Sequence, residues 1–218
     1  MGLLLFVLLG AQASPAGAAD DTAPRLLLLG DSLFAGYGLS RTEAFPAQLQ
    51  AALKASGVPA AIIEASVSGD TTAGGLARLP WVLGGGPAEQ PDAALVELGG
   101  NDALRGVAPE TTSANLDAIL TTLRERGVAV LLVGMRAPPN LGADYTKAFD
   151  AIFPRLAEKH GVALYPFLLE GVAANPSLNQ PDGIHPNAAG VRIMVERILP
   201  AVRALLDGLR PAASRPPG

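Results

Sequence analysis

A three-layer α/β/α fold with a parallel sheet of about five strands is the class this sequence predicts, on three observations. Apolar runs of strand length alternate with segments whose apolar residues recur at helical spacing, as in repeated strand-helix units. The first run, Leu26-Leu27-Leu28-Leu29, is unbroken rather than alternating, which suits a strand covered by helices on both faces. The segments between strands are long enough for crossovers, and such crossovers are right-handed.

The opening strand, residues 25–29, stops at Gly30 and hands over to Asp31 and Ser32. Residues 45–54 have Pro46 near a helix start, apolar residues at helical spacing and a stop at Ser56-Gly57. Residues 60–65 form the second strand, and a small polar loop, 66–72, leads into a helix through Leu76, Leu79 and Leu83. The third unit is a strand over 93–98, the loop Gly99-Gly100-Asn101-Asp102, and a helix with Leu116, Ile119, Leu120 and Leu123 on one stripe. Residues 128–133 are the fourth strand. After Pro138-Pro139-Asn140 comes a helix around Phe149, Ile152, Phe153 and Leu156, expected to kink at Pro154. Residues 162–165 read as the fifth strand. The final helix, 191–209, puts Val191, Met194, Val195, Ile198, Val202, Leu205 and Leu209 on one face.

With 218 residues, 49% hydrophobic and 17% charged, the chain suits one domain with a large core. A net charge of -4, with no cluster of Lys or Arg, argues against a nucleic-acid partner and for small molecules. Residues 1–19 contain an apolar run over 3–9 followed by small residues, the pattern of a secretory signal peptide. The run is far short of the ~20 residues needed to span a bilayer. The protein is therefore expected to be exported, periplasmic or secreted, with its domain over 20–210 and a disordered Pro-rich tail over 211–218. The absence of cysteine excludes disulfides, a thiol nucleophile and any Cys-based metal site.

A serine hydroxyl is a poor nucleophile until a base takes its proton, and only two histidines could do so for Ser32. His160, in Glu158-Lys159-His160-Gly161, suits the negative end of a helix. His185 lies in Gln180-Pro181-Asp182-Gly183-Ile184-His185-Pro186-Asn187, between the last strand and the final helix, at the sheet rim where Ser32 emerges. Asp182, three residues earlier and followed by a turn-permitting glycine, could accept from Nδ1 and leave Nε2 facing Ser32. The same spacing also closes an ordinary turn, and Gly30-Asp31-Ser32 also suits an ordinary turn or helix N-cap. Asp31 reads as a loop brace rather than the partner of His185. Acyl transfer also needs donors for the developing oxyanion. Gly69 N–H, the Asn101 carboxamide and Ser32 N–H all follow strands. Arg78, Arg105 and Arg136 could meet an anionic head group or be lone surface cations. Phe34 breaks the Gly-x-Ser-x-Gly elbow of α/β-hydrolases, no Gly-x-Gly-x-x-Gly follows the first strand, and the ligands for a metal site are lacking.

In this order, Gly30-Asp31-Ser32-Leu33, Gly69, Gly100-Asn101-Asp102 and Asp182-Gly183-Ile184-His185-Pro186 resemble the SGNH (GDSL) hydrolase family over almost the whole chain after the leader. The resemblance implies a flavodoxin-like sheet, with Ser32 as nucleophile, His185 as base, Asp182 as its orienter, and Ser32, Gly69 and Asn101 as oxyanion donors. It implies no metal and no cofactor. Gly69-Asp70-Thr71, residues 75–80, and 96–102 with Leu104-Arg105-Gly106 are similar to the family's periplasmic bacterial branch of thioesterases, lysophospholipases and arylesterases. There a mobile loop after the Asn-Asp pair closes over acyl chains. This implies substrate contacts at Ala103, Leu104, Arg105, Gly106, Val107 and Ala108, with Leu33, Ile184 and Pro186 beside the reacting groups. The implied activity is hydrolysis of small-molecule esters and thioesters with an acyl or aryl group, by a monomer. A carbohydrate acetylesterase or an acyltransferase of the same fold and, more remotely, a noncatalytic ligand-binding domain stay open.

Overall fold

Leucines buried on both faces place strand β1 (Arg25–Gly30) inside the sheet: in the computed structural model, which describes residues 23–86 and 90–209, Leu26 to Leu29 are all fully buried. β1 pairs in parallel with β2 (Ala61–Ser66) on one side and β3 (Ala93–Glu97) on the other. β4 (Ala129–Val133) and β5 (Ala163–Tyr165) extend the sheet in parallel, giving the order β2-β1-β3-β4-β5. The expected five-stranded α/β architecture is thus observed. The chain moves from β1 to one edge, then returns to build the other side. The loops after β1 and β3 consequently diverge at their carboxyl ends, where doubly wound folds bind ligands.

The apolar stripes of the helices cover the sheet. α2 (Phe45–Ala55) packs on α8 (Ala188–Leu209), while α5 (Pro109–Glu125) packs between α3 (Thr72–Val82) and α7 (Ile152–His160). The stripe on α5 is the expected one, with Leu116, Ile119, Leu120 and Leu123 fully buried. Two one-turn helices, α1 (Ser32–Ala35) and α4 (Gly100–Leu104), open the segments after β1 and β3. They are too short for apolar periodicity to reveal.

Three expectations need adjustment. The helix around Phe149 is broken at Ala151 into α6 (Ala143–Asp150) and α7. Pro154 has no N–H for the Asp150 carbonyl and its ring crowds that oxygen, so the kink becomes a break. α8 begins three residues early, at Ala188, because Asn187 Oδ1 accepts the N–H groups of Ala189 at 3.0 Å and Gly190 at 3.1 Å. Its fully buried face advances by four through Ile198 and Val202 to Leu206, while the expected Leu205 and Leu209 are half-buried against the core. The expected leader, 1–19, and the expected tail, 211–218, lie outside the described residues. Among the described residues no helix is long and apolar enough to cross a membrane.

His160 closes α7 beside Gly161, as its sequence context suggested, and it is buried. Its Nε2 lies 2.6 Å from the Asp117 carboxylate on α5, which Lys159 Nζ also reaches at 2.8 Å. Bonding to Lys159, then to His160, holds the Asp117 carboxyl below its ordinary range. A depressed carboxylate contributes stability above its unfolded pKa and loses it as pH falls through the folded value. Asp117→Asn is therefore expected to lower stability near neutral pH by about 0.5–1 kcal/mol, with a smaller penalty in acid, measured by urea unfolding across pH.

Candidate active site

The end of β1 delivers Ser32 to the sheet rim. Asp31 caps α1, its Oδ1 accepting the Leu33 N–H at 3.0 Å, and Gly36 ends the turn in the left-handed region. Phe34 stacks on Phe45 of α2 at 4.4 Å between ring centroids, which anchors the short helix to the core. Ser32 therefore sits at the first helical position, where backbone N–H groups have no acceptor within the helix.

The loop before α8 brings His185 to it. Asp182 Oδ1 accepts the N–H groups of Ile184 at 2.9 Å and His185 at 3.0 Å, closing a turn through Gly183 at φ 71°. Asp182 Oδ2 lies 2.7 Å from His185 Nδ1, and His185 Nε2 lies 3.0 Å from Ser32 Oγ. The His185 N–H, then its imidazole and the Ile184 N–H, pull the Asp182 carboxyl down to about 2. Ionised, it can only accept, so Nδ1 carries the proton and Nε2 is free to accept from the serine hydroxyl. Asp31 bonds elsewhere.

Two residues without an expected role hold these loops together. The Tyr37 ring lies 4.5 Å from the imidazole, and Gln180 Nε2 donates to the Tyr37 carbonyl at 2.7 Å and to the Pro186 carbonyl at 3.0 Å. The Gln180 N–H also donates to the His185 carbonyl at 2.7 Å. No pattern in the sequence singles out Gln180 beyond its place beside Asp182.

Asn101 enters through Asp31: its Nδ2 donates to Asp31 Oδ2 at 2.9 Å. Gly69 stands after β2 at φ 85°, a backbone state that suits glycine, and its carbonyl accepts Arg105 Nη2 at 2.9 Å. Asp102 is buried and bonds the Thr72 N–H at 2.8 Å, the Thr72 hydroxyl at 2.5 Å and the Thr112 hydroxyl at 3.2 Å. This ties α4, which carries Asn101, to the starts of α3 and α5. Ser32, Gly69 and Asn101 thus stand beyond the carboxyl ends of β1, β2 and β3.

The expected substrate contacts divide. Leu104, Arg105, Gly106, Ala108 and Ile184 are exposed and Val107 is half-buried, whereas Leu33 and Pro186 are buried. Ala103 is fully buried in the core, because the one-turn α4 turns it toward the sheet. Val107 is held at both ends, its N–H donating to the Asp102 carbonyl at 2.9 Å and its carbonyl accepting the Tyr145 hydroxyl at 2.7 Å. The three arginines have internal partners. Arg78 braces the ends of β1 and β2 through Asp70 at 2.6 Å, the Ala65 carbonyl at 2.6 Å and the Gly30 carbonyl at 3.2 Å. Arg105 holds Gly69, and Arg136 lies 4.8 Å over the Phe167 ring.

Beneath the site, Gly30 and Glu97 meet. A Cβ on Gly30 would lie 2.7 Å from Phe34 Cδ2 and 2.8 Å from Glu97 Oε2. Glu97 is fully buried, and Oε2 accepts the Asp31 N–H at 3.2 Å. Burial, then the charge of Asp31, pushes the Glu97 carboxyl well above its ordinary range. Burial also raises Asp31, against the Leu33 N–H, Glu97 and Asn101, which favour its ionised form.

Comparisons with known proteins place this chain among esterases. Residues 28–193 match the GDSL-like lipase/acylhydrolase family. The chain is 41% identical to an esterase, TesA, of Pseudomonas aeruginosa over 205 residues, 94% of this chain and 96% of that one. It is 45% identical over 184 residues to "Thioesterase 1/protease 1/lysophospholipase L1" of Escherichia coli K12, covering 84% of this chain and 82% of the relative. The crystal structure of AlinE4, an SGNH-hydrolase family esterase, superimposes with a TM-score of 0.71 at 52% identity, covering 84% of this chain and 96% of that one.

Gly30→Ala is expected to destabilise the fold by about 1–3 kcal/mol, because the added Cβ would press on Phe34 and Glu97, both fully buried. Urea unfolding of the purified variant measures it, and an unchanged midpoint would contradict the packing described.

Proposed function

We infer the reaction from the premise that the chain belongs to the GDSL-like lipase/acylhydrolase family and is a carboxylic ester hydrolase: a serine esterase working through an acyl-enzyme. The observation that carries this reading is the unbroken chain from Asp182 through His185 Nδ1 and Nε2 to Ser32 Oγ, with links of 2.7 and 3.0 Å. In the proposed scheme His185 takes the Ser32 proton as Oγ attacks the ester carbonyl. The N–H groups of Ser32 and Gly69 and the Asn101 carboxamide hold the oxyanion, and Asp182 stabilises the imidazolium. His185 then protonates the departing alcohol or thiol, and by the same route activates water against the acyl-enzyme.

An apolar acyl or aryl group fits the surroundings. Of the five exposed large hydrophobic residues described, Tyr37, Val67, Leu104 and Ile184 lie on the segments that carry Ser32, Gly69, Asn101 and His185. Such clustering favours acyl and aryl esters and thioesters over carbohydrate acetates. We take the hydrolase domain as 20–210, acting as a monomer and exported by the leader that precedes it.

With p-nitrophenyl esters, Ser32→Ala and His185→Ala are expected to lose at least ~10³-fold in kcat. Asn101→Ala should lose about 10²–10³-fold with KM little changed, as for an oxyanion donor. A Ser32→Ala variant with wild-type turnover would overturn the reading. A profile over acyl lengths, with sugar acetates included, tests the apolar preference; faster turnover of sugar acetates would contradict it.

A further inference from the structure

Glu97 is a fully buried acid to which the scheme above gives no task. Its Oε2 accepts the Asp31 N–H at 3.2 Å, while Oε1 is buried with no hydrogen-bond partner. An ionised carboxylate with one bare oxygen in a dry interior is far costlier than the neutral acid. Neutral, Glu97 keeps Oε2 as the acceptor of the Asp31 N–H without that cost. Asp31 divides its own oxygens between the Leu33 N–H at 3.0 Å and Asn101 Nδ2 at 2.9 Å. With one amide N–H of Asn101 committed to Asp31, the direction of the other is fixed. A chain of contacts thus runs from the end of β3, through Asp31, to the carboxamide and to the turn that carries Ser32.

We propose that Glu97 is a positioning residue of the ester hydrolysis, a neutral acid that holds Asp31 so that Asp31 can fix the Asn101 carboxamide and the first turn of α1. The proposal rests on reading Ser32 as nucleophile and Asn101 as oxyanion donor. The ionisable groups around the pair have defined positions. His185, on the loop before α8, favours the Asp31 carboxylate when protonated, and Arg78, from α3, bonds the Gly30 carbonyl next to Asp31. Asp102, on α4, is occupied by Thr72 and Thr112.

The test is steady-state kinetics on p-nitrophenyl acetate for Glu97→Gln, Glu97→Leu, Asn101→Ala and the Glu97→Leu/Asn101→Ala double variant, with Ser32→Ala as control. Glu97→Gln is neutral and can still accept from the Asp31 N–H, so its kcat is expected within about threefold of wild type with an unchanged pH profile. Glu97→Leu is expected to lose about 10- to 100-fold in kcat with KM within about threefold. In the Asn101→Ala background the same change should cost less than about threefold, because both changes act on one group. A folded Glu97→Leu variant with unaltered kcat, or losses that multiply in full, would overturn the proposal. If Glu97→Leu does not fold, Glu97→Gln decides: a loss as large as that of Asn101→Ala overturns it, and retained turnover supports it. An active Ser32→Ala removes the reading beneath it, whereas an inactive Ser32→Ala with an indifferent Glu97→Leu removes only this inference.

Discussion

The close approach of β1 to β3 at their carboxyl ends is the constraint on which the rest of the site depends. Gly30 and Glu97 follow the paired residues Leu29 and Val96, and the Glu97 carboxyl occupies the space a side chain at residue 30 would need. From that seam the backbone turns into Asp31, whose carboxylate serves the α1 turn on one side and Asn101 on the other. Because β2 lies on one side of β1 and β3 on the other, the loops after β1 and β3 part from this shared rim and leave a crevice between them. His185 comes from a distant segment and is attached separately, through Gln180 to the Tyr37 backbone.

This arrangement places charge where folding alone would not. Burial raises both Asp31 and Glu97, Glu97 further through the charge of Asp31, while the Leu33 N–H, Glu97 and Asn101 draw Asp31 back toward its ionised form. Asp182 is the opposite case, partly exposed and held ionised by three bonds to Ile184 and His185. In the proposed scheme both carboxylates favour the imidazolium that forms as Ser32 gives up its proton. The fully buried β1 leucines and the α5 stripe supply the stability against which these buried carboxyl groups are set.

Much of this was legible in the sequence because it depends on period and punctuation. The unbroken run ending at Gly30, the stripe on α5 and an interruption imposed by Pro154 each follow from one local rule, though the interruption is a break at Ala151 rather than a kink. Asn187 could have been read as an N-cap, but attention to the apolar face of α8 hides a polar residue just ahead of it. Ala103 was expected beside substrate and is instead in the core, because α4 is a single turn whose facing no periodicity reports. Glu97 carried a signal in plain view, a lone acid within a run otherwise apolar from Ala93 to Leu98. Its partner is 66 residues away in sequence, and register between strands supplies that pairing. Gln180 and Tyr37 could be found only once the loops were placed in space.

Trapping the covalent intermediate tests the central claim most directly. The protein is quenched in acid during turnover of a p-nitrophenyl ester, digested and analysed by mass spectrometry. The acyl mass is expected on the peptide that contains Ser32, assigned to Ser32 by fragmentation, and accumulating when His185 is replaced by a residue that still permits slow acylation. Acyl mass on another side chain, or full turnover with no adduct under conditions that trap a known acyl-enzyme, would contradict it.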